Sequence, residues 1–247
     1  MQVGLTGQEQ TLYHLGRVAQ HLDAPDLLAY FDELKTDESL LRALEEQVAD
    51  EPAFTTKRFD SVFTMRLFRI LLYCLVRHLK PGVFVETGVL HGLTTAFLLD
   101  ALVRNGSGTL VSIDLPAYAG AAPPNCDGYD ANLPPDREPG WTVPPALRGP
   151  WELCLGPSSR LLPEVLARHE AIDLFLHDSE HTYDTMALEM GLAWPALRPG
   201  GVMVVDNIEA NSAFDDFCTA HGVEPVLLPA PDENYEETLR FGLVVKP

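Results

Sequence analysis

The feature that most constrains this chain is the run VFVETGVLHG at positions 83–92, where a short apolar segment leads into Glu86, Gly88 and Gly92. Glycines at this spacing leave room where the backbone approaches a ligand and where a helix packs closely on a strand. The turn lacks the third glycine of a dinucleotide fingerprint and the Lys-Ser/Thr pair of a triphosphate loop. The run therefore predicts a strand, a turn and a helix that bind a nucleoside-type cofactor without a phosphate chain.

Composition removes several classes of function. The 247 residues carry a formal net charge of -19, so the chain has no basic stripe for the phosphates of nucleic acid or for anionic lipid. The four cysteines lie far apart and predict neither a disulfide framework nor a zinc site. Charged residues interrupt the most apolar stretch, 62–79, and the N-terminus shows no secretory signal. We expect a cytoplasmic protein that binds neither nucleic acid nor membrane.

Beyond residue 59, short apolar segments alternate with helical patterns, which predicts an α/β fold with a doubly wound, mostly parallel sheet of seven strands. The predicted strands are 83–87, 109–114, 151–155, 172–177, 202–206, 225–228 and 241–245. The predicted helices are an apolar one capped by Asp60 or Ser61, 93–104, 160–168, one that ends at Trp194, and 213–221. Residues 1–58 contain acidic helices, which we interpret as a cap or dimerisation arm on a domain of residues 59–247.

One long connection, 116–150, interrupts this alternation. It is rich in proline and glycine and contains Tyr118, Tyr129 and Trp141. Connections of this length inside a compact domain are usually functional or disordered. Because it follows the carboxyl end of a strand, we expect a lid over the ligand crevice, and a mobile surface loop is the alternative.

Polar residues follow five predicted strands, at the sheet edge where open α/β folds bind ligands. Taken singly, each has a structural explanation. Asp114 could cap the next helix, Asp178 and Ser179 could be N-caps, and Asp206-Asn207 could begin a turn. His181 could be a solvated residue of a first helical turn. Their common location predicts a functional site, composed of Glu86, Asp114, Ser158, the segment 177–183, and Asp206-Asn207.

In sequence order, the motifs E-T-G-V-x-x-G, S-I-D, G-x-S, D-x-x-H-x-Y and L-R-P-G-G-V-x-V-x-D-N resemble those of class I S-adenosylmethionine-dependent methyltransferases. The resemblance covers residues 60–247 and is closest to small bacterial O-methyltransferase-like proteins with a D-x-[DE]-H-[ST]-Y motif. It implies a Rossmann-like fold with an antiparallel closing pair of strands, and S-adenosyl-L-methionine as cofactor.

The resemblance also implies roles for individual residues. Glu86 and Gly88 would contact the methionine part of the cofactor, and nearby carboxylates would face its cationic sulfonium. Asp114 would bind the ribose hydroxyls, and Ser158 would lie near the adenine. The full set of implied cofactor contacts is Glu86, Thr87, Gly88, Gly92, Asp114, Ser158 and Asp178.

Catechol-type O-methyltransferases hold Mg²⁺ with an aspartate after strand four and an Asp-Asn pair after strand five, which implies Asp178, Asp206 and Asn207 as ligands here. His181 stands where that family has its general-base lysine, so Asp178 and His181 are the implied catalytic residues.

Alignment on Tyr183 instead would place His177 at the metal aspartate and Glu180 at the base. A metal-free enzyme with His181 or His177 as base is a further alternative.

These residues predict an enzyme that methylates a hydroxyl group of a small molecule, such as a secondary metabolite or a sugar, in natural product biosynthesis. An N-methyltransferase and a non-catalytic cofactor-binding protein of the same fold are the alternatives. A nicotinamide oxidoreductase is disfavoured, because the glycine turn lacks the close spacing that seats a pyrophosphate on a helix N-terminus. The N-terminal helices could pair two subunits, so a homodimer is possible.

Overall fold

The computed structural model describes residues 7–51, 66–118, 132–229 and 240–247. The predicted caps Asp60 and Ser61 and the predicted boundary at 58/59 lie outside these residues. None of the helices in the described ranges is both long and apolar enough to cross a membrane. The helices are α1 (Gly7–Leu22), α2 (Leu27–Thr36), α3 (Ser39–Val48), α4 (Leu67–Leu79), α5 (Leu93–Asn105), α6 (Ser158–Leu166), α7 (Tyr183–Ala196) and α8 (Ala213–His221).

The strands form one seven-stranded sheet in the order β3-β2-β1-β4-β5-β7-β6. Strands β1 to β5 pair in parallel, and β7 runs antiparallel to both β5 and β6. The predicted doubly wound, mostly parallel sheet with an antiparallel closing pair is therefore confirmed. The strands are β1 (Val83–Thr87), β2 (Thr109–Asp114), β3 (Trp151–Leu155), β4 (Ile172–His177), β5 (Leu197–Val205), β6 (Val226–Pro229) and β7 (Arg240–Val245).

Alternation along the strands divides the core into two layers, because successive strand side chains point to opposite faces of a sheet. Phe84 of β1 packs in the layer that contains α4 and α5, whereas Val85 packs in the layer that contains α6, α7 and α8. Both faces of the sheet are covered, as a parallel sheet requires. The same alternation sends Glu86 towards the first layer and Thr87 towards the second.

The N-terminal helices share the first of these layers. Leu27, Phe31 and Leu34 form the buried stripe of α2 and belong to the same apolar cluster as α4 and α5. A bidentate ion pair joins the two parts, with Nε and Nη2 of Arg77 each 2.9 Å from an oxygen of Glu33. The described helices of the N-terminal extension thus complete the core on one face of the sheet.

Strand β5 differs from its prediction. It begins at Leu197 rather than at residue 202, and it ends at Val205, so Asp206 follows the strand. Residues 199–201 were predicted to precede the strand, but the Gly200 amide donates to the carbonyl of Lys246 (2.8 Å) and Gly201 accepts from the Lys246 amide (2.9 Å). Leu197 also pairs with Ile172 of β4. These two pairings extend the strand, which local sequence preference does not reveal.

Helix α7 also begins differently from one structural interpretation of its sequence. Its N-cap is Thr182, whose hydroxyl accepts from the Thr185 amide at 3.4 Å. Asp178 and Ser179 are therefore not helix caps, and His181 lies in the loop before the helix rather than in its first turn.

Candidate active site

The glycine turn between β1 and α5 is shaped by close backbone packing. Gly88 has φ +86, and a Cβ there would lie 1.8 Å from the carbonyl oxygen of Asp178. Gly92, at the N-cap of α5, has φ +89, and a Cβ there would lie 2.6 Å from Cα of Gly140. Both positions demand glycine, because other residues rarely adopt such φ values and no space exists for a side chain. The glycine turn therefore lies directly against the loop that carries Asp178.

Asp114 ends β2 and holds this turn in place. Its Oδ2 accepts hydrogen bonds from the amides of Val89 (2.7 Å) and Leu90 (2.9 Å). It does not cap a following helix, which was its structural alternative. Leu115 is 65% exposed next to it, and Leu155, its neighbour across the sheet at the end of β3, is 48% exposed. Two uncovered leucines beside an acid make an apolar platform that sequence reasoning missed, although a leucine directly after the second-strand acid was the available signal.

Glu86 lies one residue below the turn and is fully buried. Thr95 of α5 donates to both of its oxygens at 3.1 Å, and the Ser112 hydroxyl donates to Oε2 at 2.6 Å. The Trp151 indole in turn donates to the Ser112 oxygen at 2.9 Å. Burial raises the pKa of Glu86 to about 8, against the effect of the two hydroxyl donors. Glu86, for which the resemblance implies a contact with the methionine part of the cofactor, thus lies buried in the first core layer beneath the turn.

Three predicted residues come together after β4 and β5. Single ligand atoms of Asp178, His181 and Asp206 all lie within 4.8 Å of one another. Burial raises the pKa of both carboxyls, and the charge of Asp206 raises that of Asp178 further. Asn207, the other predicted ligand, is buried next to Asp206 with a left-handed φ of 48.

This cluster suits a divalent cation. Within the described part of the chain, Asp206 Oδ1 is buried and has no hydrogen-bond partner, which is a costly state for a carboxylate oxygen. Carboxylate oxygens are the ligands that hard divalent cations prefer, and a cation would relieve the repulsion between the two acids. A single ion could be bound by the side chains of Asp178, His181 and Asp206, because their ligand atoms lie close together.

A cation from α4 also acts on the cluster. Burial and the charge of Arg66 lower the pKa of Arg69 to about 9, while the charges of Asp178 and Asp206 oppose this change. Arg69 is one of the charged residues that interrupt the apolar stretch 62–79. Its proximity to the acids becomes visible only when the helix is packed on the sheet.

Two residues predicted to contact the cofactor face a different side chain. The Thr87 hydroxyl lies 2.5 Å from Oε2 of Glu189, and the Ser158 hydroxyl also hydrogen-bonds this carboxylate. His177 Nδ1 lies 2.6 Å from Oε2, and Ser179 donates to Oε1 at 2.8 Å. Glu189 is fully buried on α7, and sequence reasoning assigned it no role.

The two alternative alignments of the segment after β4 place different residues in the cluster. Asp178 and His181 lie beside Asp206, as the D-x-x-H alignment predicts. His177 is fully buried against Glu189, and Glu180 is exposed and accepts a hydrogen bond from the Thr185 hydroxyl at 2.8 Å. The alignment on Tyr183 would need His177 and Glu180 at the positions that Asp178 and His181 hold.

Part of the predicted lid is described, from residue 132 to 150, and it packs on the glycine turn. The Gly140 amide donates to the carbonyl of Leu90 (2.8 Å), and the Thr142 amide donates to that of His91 (3.0 Å). The Trp141 indole donates to His91 Nδ1 at 2.9 Å. This part of the connection therefore covers residues 90–92 of the turn, whereas Gly88 lies against the Asp178 loop.

Comparison with known proteins agrees with this geometry. A family model described as "Methyltransferase domain" matches residues 85–208, which is half of the chain and runs from β1 to just beyond Asp206. A search of curated proteins finds no sequence that matches this chain.

Solved methyltransferase structures share the fold. An O-methyltransferase from Bacillus cereus in complex with S-adenosylhomocysteine is 17% identical, with a TM-score of 0.57 over 85% of this chain and 91% of that one. The O-methyltransferase TomG from Streptomyces achromogenes, in complex with S-adenosylmethionine, is 17% identical, with a TM-score of 0.55 over 85% and 91%. A methyltransferase of Podospora anserina, bound to S-adenosylhomocysteine, is 14% identical, with a TM-score of 0.53 over the whole of both chains.

At these identities the structural likeness is one of fold, and its seven-stranded sheet confirms the class I resemblance seen in the motifs. The family match adds the sequence evidence. The chain belongs to the family of methyltransferase domains.

Proposed function

We propose that this protein is an S-adenosylmethionine-dependent O-methyltransferase that acts on a small hydroxylated molecule, a secondary metabolite or a sugar. One observation carries the proposal: the carbonyl of Asp178 occupies the space that a side chain at Gly88 would fill. A cofactor on the glycine turn and an acceptor at the acid cluster would therefore be neighbours. Direct transfer of a group between two ligands requires this adjacency.

Two features at the tip of β2 support the adenosine end of the cofactor site. Asp114 uses Oδ2 to hold the turn amides, and we assign its other oxygen to the ribose hydroxyls. The exposed side chains of Leu115 and Leu155 beside it offer an apolar surface for the adenine. Glu86 would act on the bound cofactor from beneath the turn, because Ser112 and Thr95 hold its carboxyl there and not within the turn.

The acid cluster supports the acceptor end. S-adenosylmethionine, when bound, would supply an electrophilic methyl group, and a divalent cation would lower the pKa of the acceptor hydroxyl. Asp178 and Asp206 would hold the cation, with Asn207 as a further oxygen ligand, and His181 would take the hydroxyl proton. The acceptor oxygen would lose its proton to His181 and gain the methyl group, and the electron pair of the broken carbon–sulfur bond would stay on the sulfur.

Cofactor binding is tested by isothermal titration with S-adenosylhomocysteine. We expect wild-type protein to bind, and Asp114→Asn to bind roughly ten- to a hundredfold more weakly, because a hydrogen bond to a charged group contributes about 1.5–3 kcal/mol. The matched control is Asp215→Asn, at an exposed position on α8, which should bind as the wild type does. A wild-type protein that gives no heat of binding with millimolar ligand would contradict the proposal.

Catalysis is tested on a panel of hydroxylated small molecules with S-adenosylmethionine. We expect His181→Ala to lower kcat by roughly 10² to 10⁴, the usual contribution of a general base. His21→Ala, at an exposed position on α1, is the control. Turnover that survives exhaustive EDTA treatment would remove the cation from the mechanism, and near-normal turnover by His181→Ala would favour a nitrogen acceptor.

A further inference from the structure

Glu189 is a buried carboxylate that the proposed mechanism does not use. Three described contacts place donors on it: Thr87 Oγ1 at 2.5 Å and His177 Nδ1 at 2.6 Å on Oε2, and Ser179 Oγ at 2.8 Å on Oε1. The Ser158 hydroxyl is a fourth donor. Burial by itself would raise the pKa of Glu189, but His177 and the hydroxyl donors lower it below its usual value. Glu189 is therefore an ionised acceptor, and His177 donates its Nδ1 proton to it.

The donors come from the ends of different elements. Thr87 ends β1, His177 ends β4, and Ser158 begins α6. One side chain of α7 thus connects several segments at the carboxyl edge of the sheet through hydrogen bonds. Without Glu189, the fully buried Nδ1 of His177 would lose its hydrogen-bond partner.

The position of Asp178 within this arrangement is informative. His177 and Ser179, the residues on either side of it, both donate to Glu189. The side chain of Asp178, between them, instead lies with those of Asp206 and His181. The Asp178 amide also donates to the carbonyl of Thr87 at 2.9 Å, and Thr87 itself is held by Glu189. Glu189 therefore holds the backbone of Asp178 through three of its neighbours.

A second contact leads from Glu189 to the proposed base. The rings of His177 and His181 meet edge to face, with centroids 5.4 Å apart and planes at 87°. The hydrogen bond from Nδ1 sets the orientation of the His177 ring, and this ring limits where the His181 ring can lie.

We propose that Glu189 is a positioning residue of the cation site. Its hydrogen bonds to His177 and Ser179 hold the backbone on both sides of Asp178, so that the side chain of Asp178 lies next to Asp206. The proposal rests on the function proposed above, because it treats Asp178 and Asp206 as cation ligands. Groups that orient metal ligands from outside the coordination shell typically change metal affinity by 10- to 100-fold when they are altered. Glu189 itself contacts neither ion nor substrate.

The test measures binding of Mn²⁺ and of S-adenosylhomocysteine separately, in the full-length protein and without turnover. Glu189→Gln retains the shape of the side chain, and the serine hydroxyls can turn to accept from its amide. Ser179→Ala removes one tether and no charge. Asp184→Asn, at an exposed position of the same helix, removes a charge and leaves the tethers intact.

We expect Glu189→Gln to weaken Mn²⁺ binding by roughly 10- to 100-fold. Ser179→Ala should weaken it in the same direction but by less, and Asp184→Asn should bind as the wild type does. The affinity for S-adenosylhomocysteine should stay within about twofold in all three variants, which shows that each remains folded.

Wild-type Mn²⁺ affinity in Glu189→Gln would overturn the inference. An equal loss in Asp184→Asn would also do so, since the effect would then come from charge and not from position. A wild-type protein that binds no Mn²⁺ would overturn it as well, while binding of S-adenosylhomocysteine would leave the methyltransferase proposal standing.

Discussion

Replacing Glu86 by glutamine tests the electrostatics beneath the glycine turn. Glutamine has the shape of the protonated acid, and the hydroxyls of Thr95 and Ser112 can donate to it or accept from it. Because the pKa of Glu86 is about 8 in the folded protein and 4.5 in an exposed glutamate, the unfolded chain releases this proton first as pH rises. The wild type therefore loses stability through this interval and reaches a plateau above it, whereas the variant has no such proton to lose.

The size of the effect follows from the two pKa values. Between about pH 5 and pH 8, the free energy of unfolding of the wild type should fall by roughly 3 to 4 kcal/mol relative to Glu86→Gln. Urea unfolding at several pH values in this range measures the difference, and all other titrating groups cancel between the two proteins. Glu164→Gln, at an exposed position, should show no comparable trend. A difference between wild type and Glu86→Gln that stays constant with pH would refute the reasoning.

Three further perturbations have definite outcomes. Gly88→Ala should lower the thermal midpoint strongly, because its Cβ would overlap the carbonyl of Asp178. The control Gly191→Ala, in open space within α7, should be neutral or stabilising by up to about 1 kcal/mol. Equal midpoints of the two variants would contradict this prediction. Asp178→Asn should raise the thermal midpoint of cation-free protein at alkaline pH, because it removes one of two buried acids that repel each other. A lower midpoint of the variant, measured by calorimetry in EDTA, would argue against repulsion between Asp178 and Asp206. Glu33→Gln should lower the free energy of unfolding by about 1.5–3 kcal/mol and increase proteolysis of the N-terminal helices, because Arg77 loses its charged partner. Unchanged proteolysis would show that apolar packing alone holds these helices on the domain.

Sequence reasoning succeeded where local pattern and tertiary structure agree. The bounds of β1 to β4 follow directly from apolar runs punctuated by glycine, proline and polar residues. It failed at β5, where residues 197–201 join the sheet because Leu197 pairs with Ile172 of β4 and because Gly200 and Gly201 hydrogen-bond Lys246 near the end of the chain. Turn preference is a local property, and a strand partner more than forty residues away can override it.

The candidate site shows the same division. Asp178, His181 and Asp206 were identified from their places after two strands, and they do meet. Ser158 was identified by the same reasoning and Thr87 from the family resemblance, yet their hydroxyls bind Glu189. Position after a strand predicts that a residue lies at the functional edge, but it does not predict which way the side chain turns.

The order of apolar strands, glycine turn and acids in the sequence by itself determined the parallel sheet, the edge at which chemistry can occur and the methyltransferase class. Strand formation and chain direction depend on neighbours in sequence, so these features can be read from a string of residues. Only the tertiary structure decided that Glu86 lies buried at a raised pKa, that Arg69 reaches the acid cluster, and that Glu189 gathers three strand-end segments. Burial and charge depend on which helices pack over the sheet, and residues brought together in that way carry no common signal along the chain.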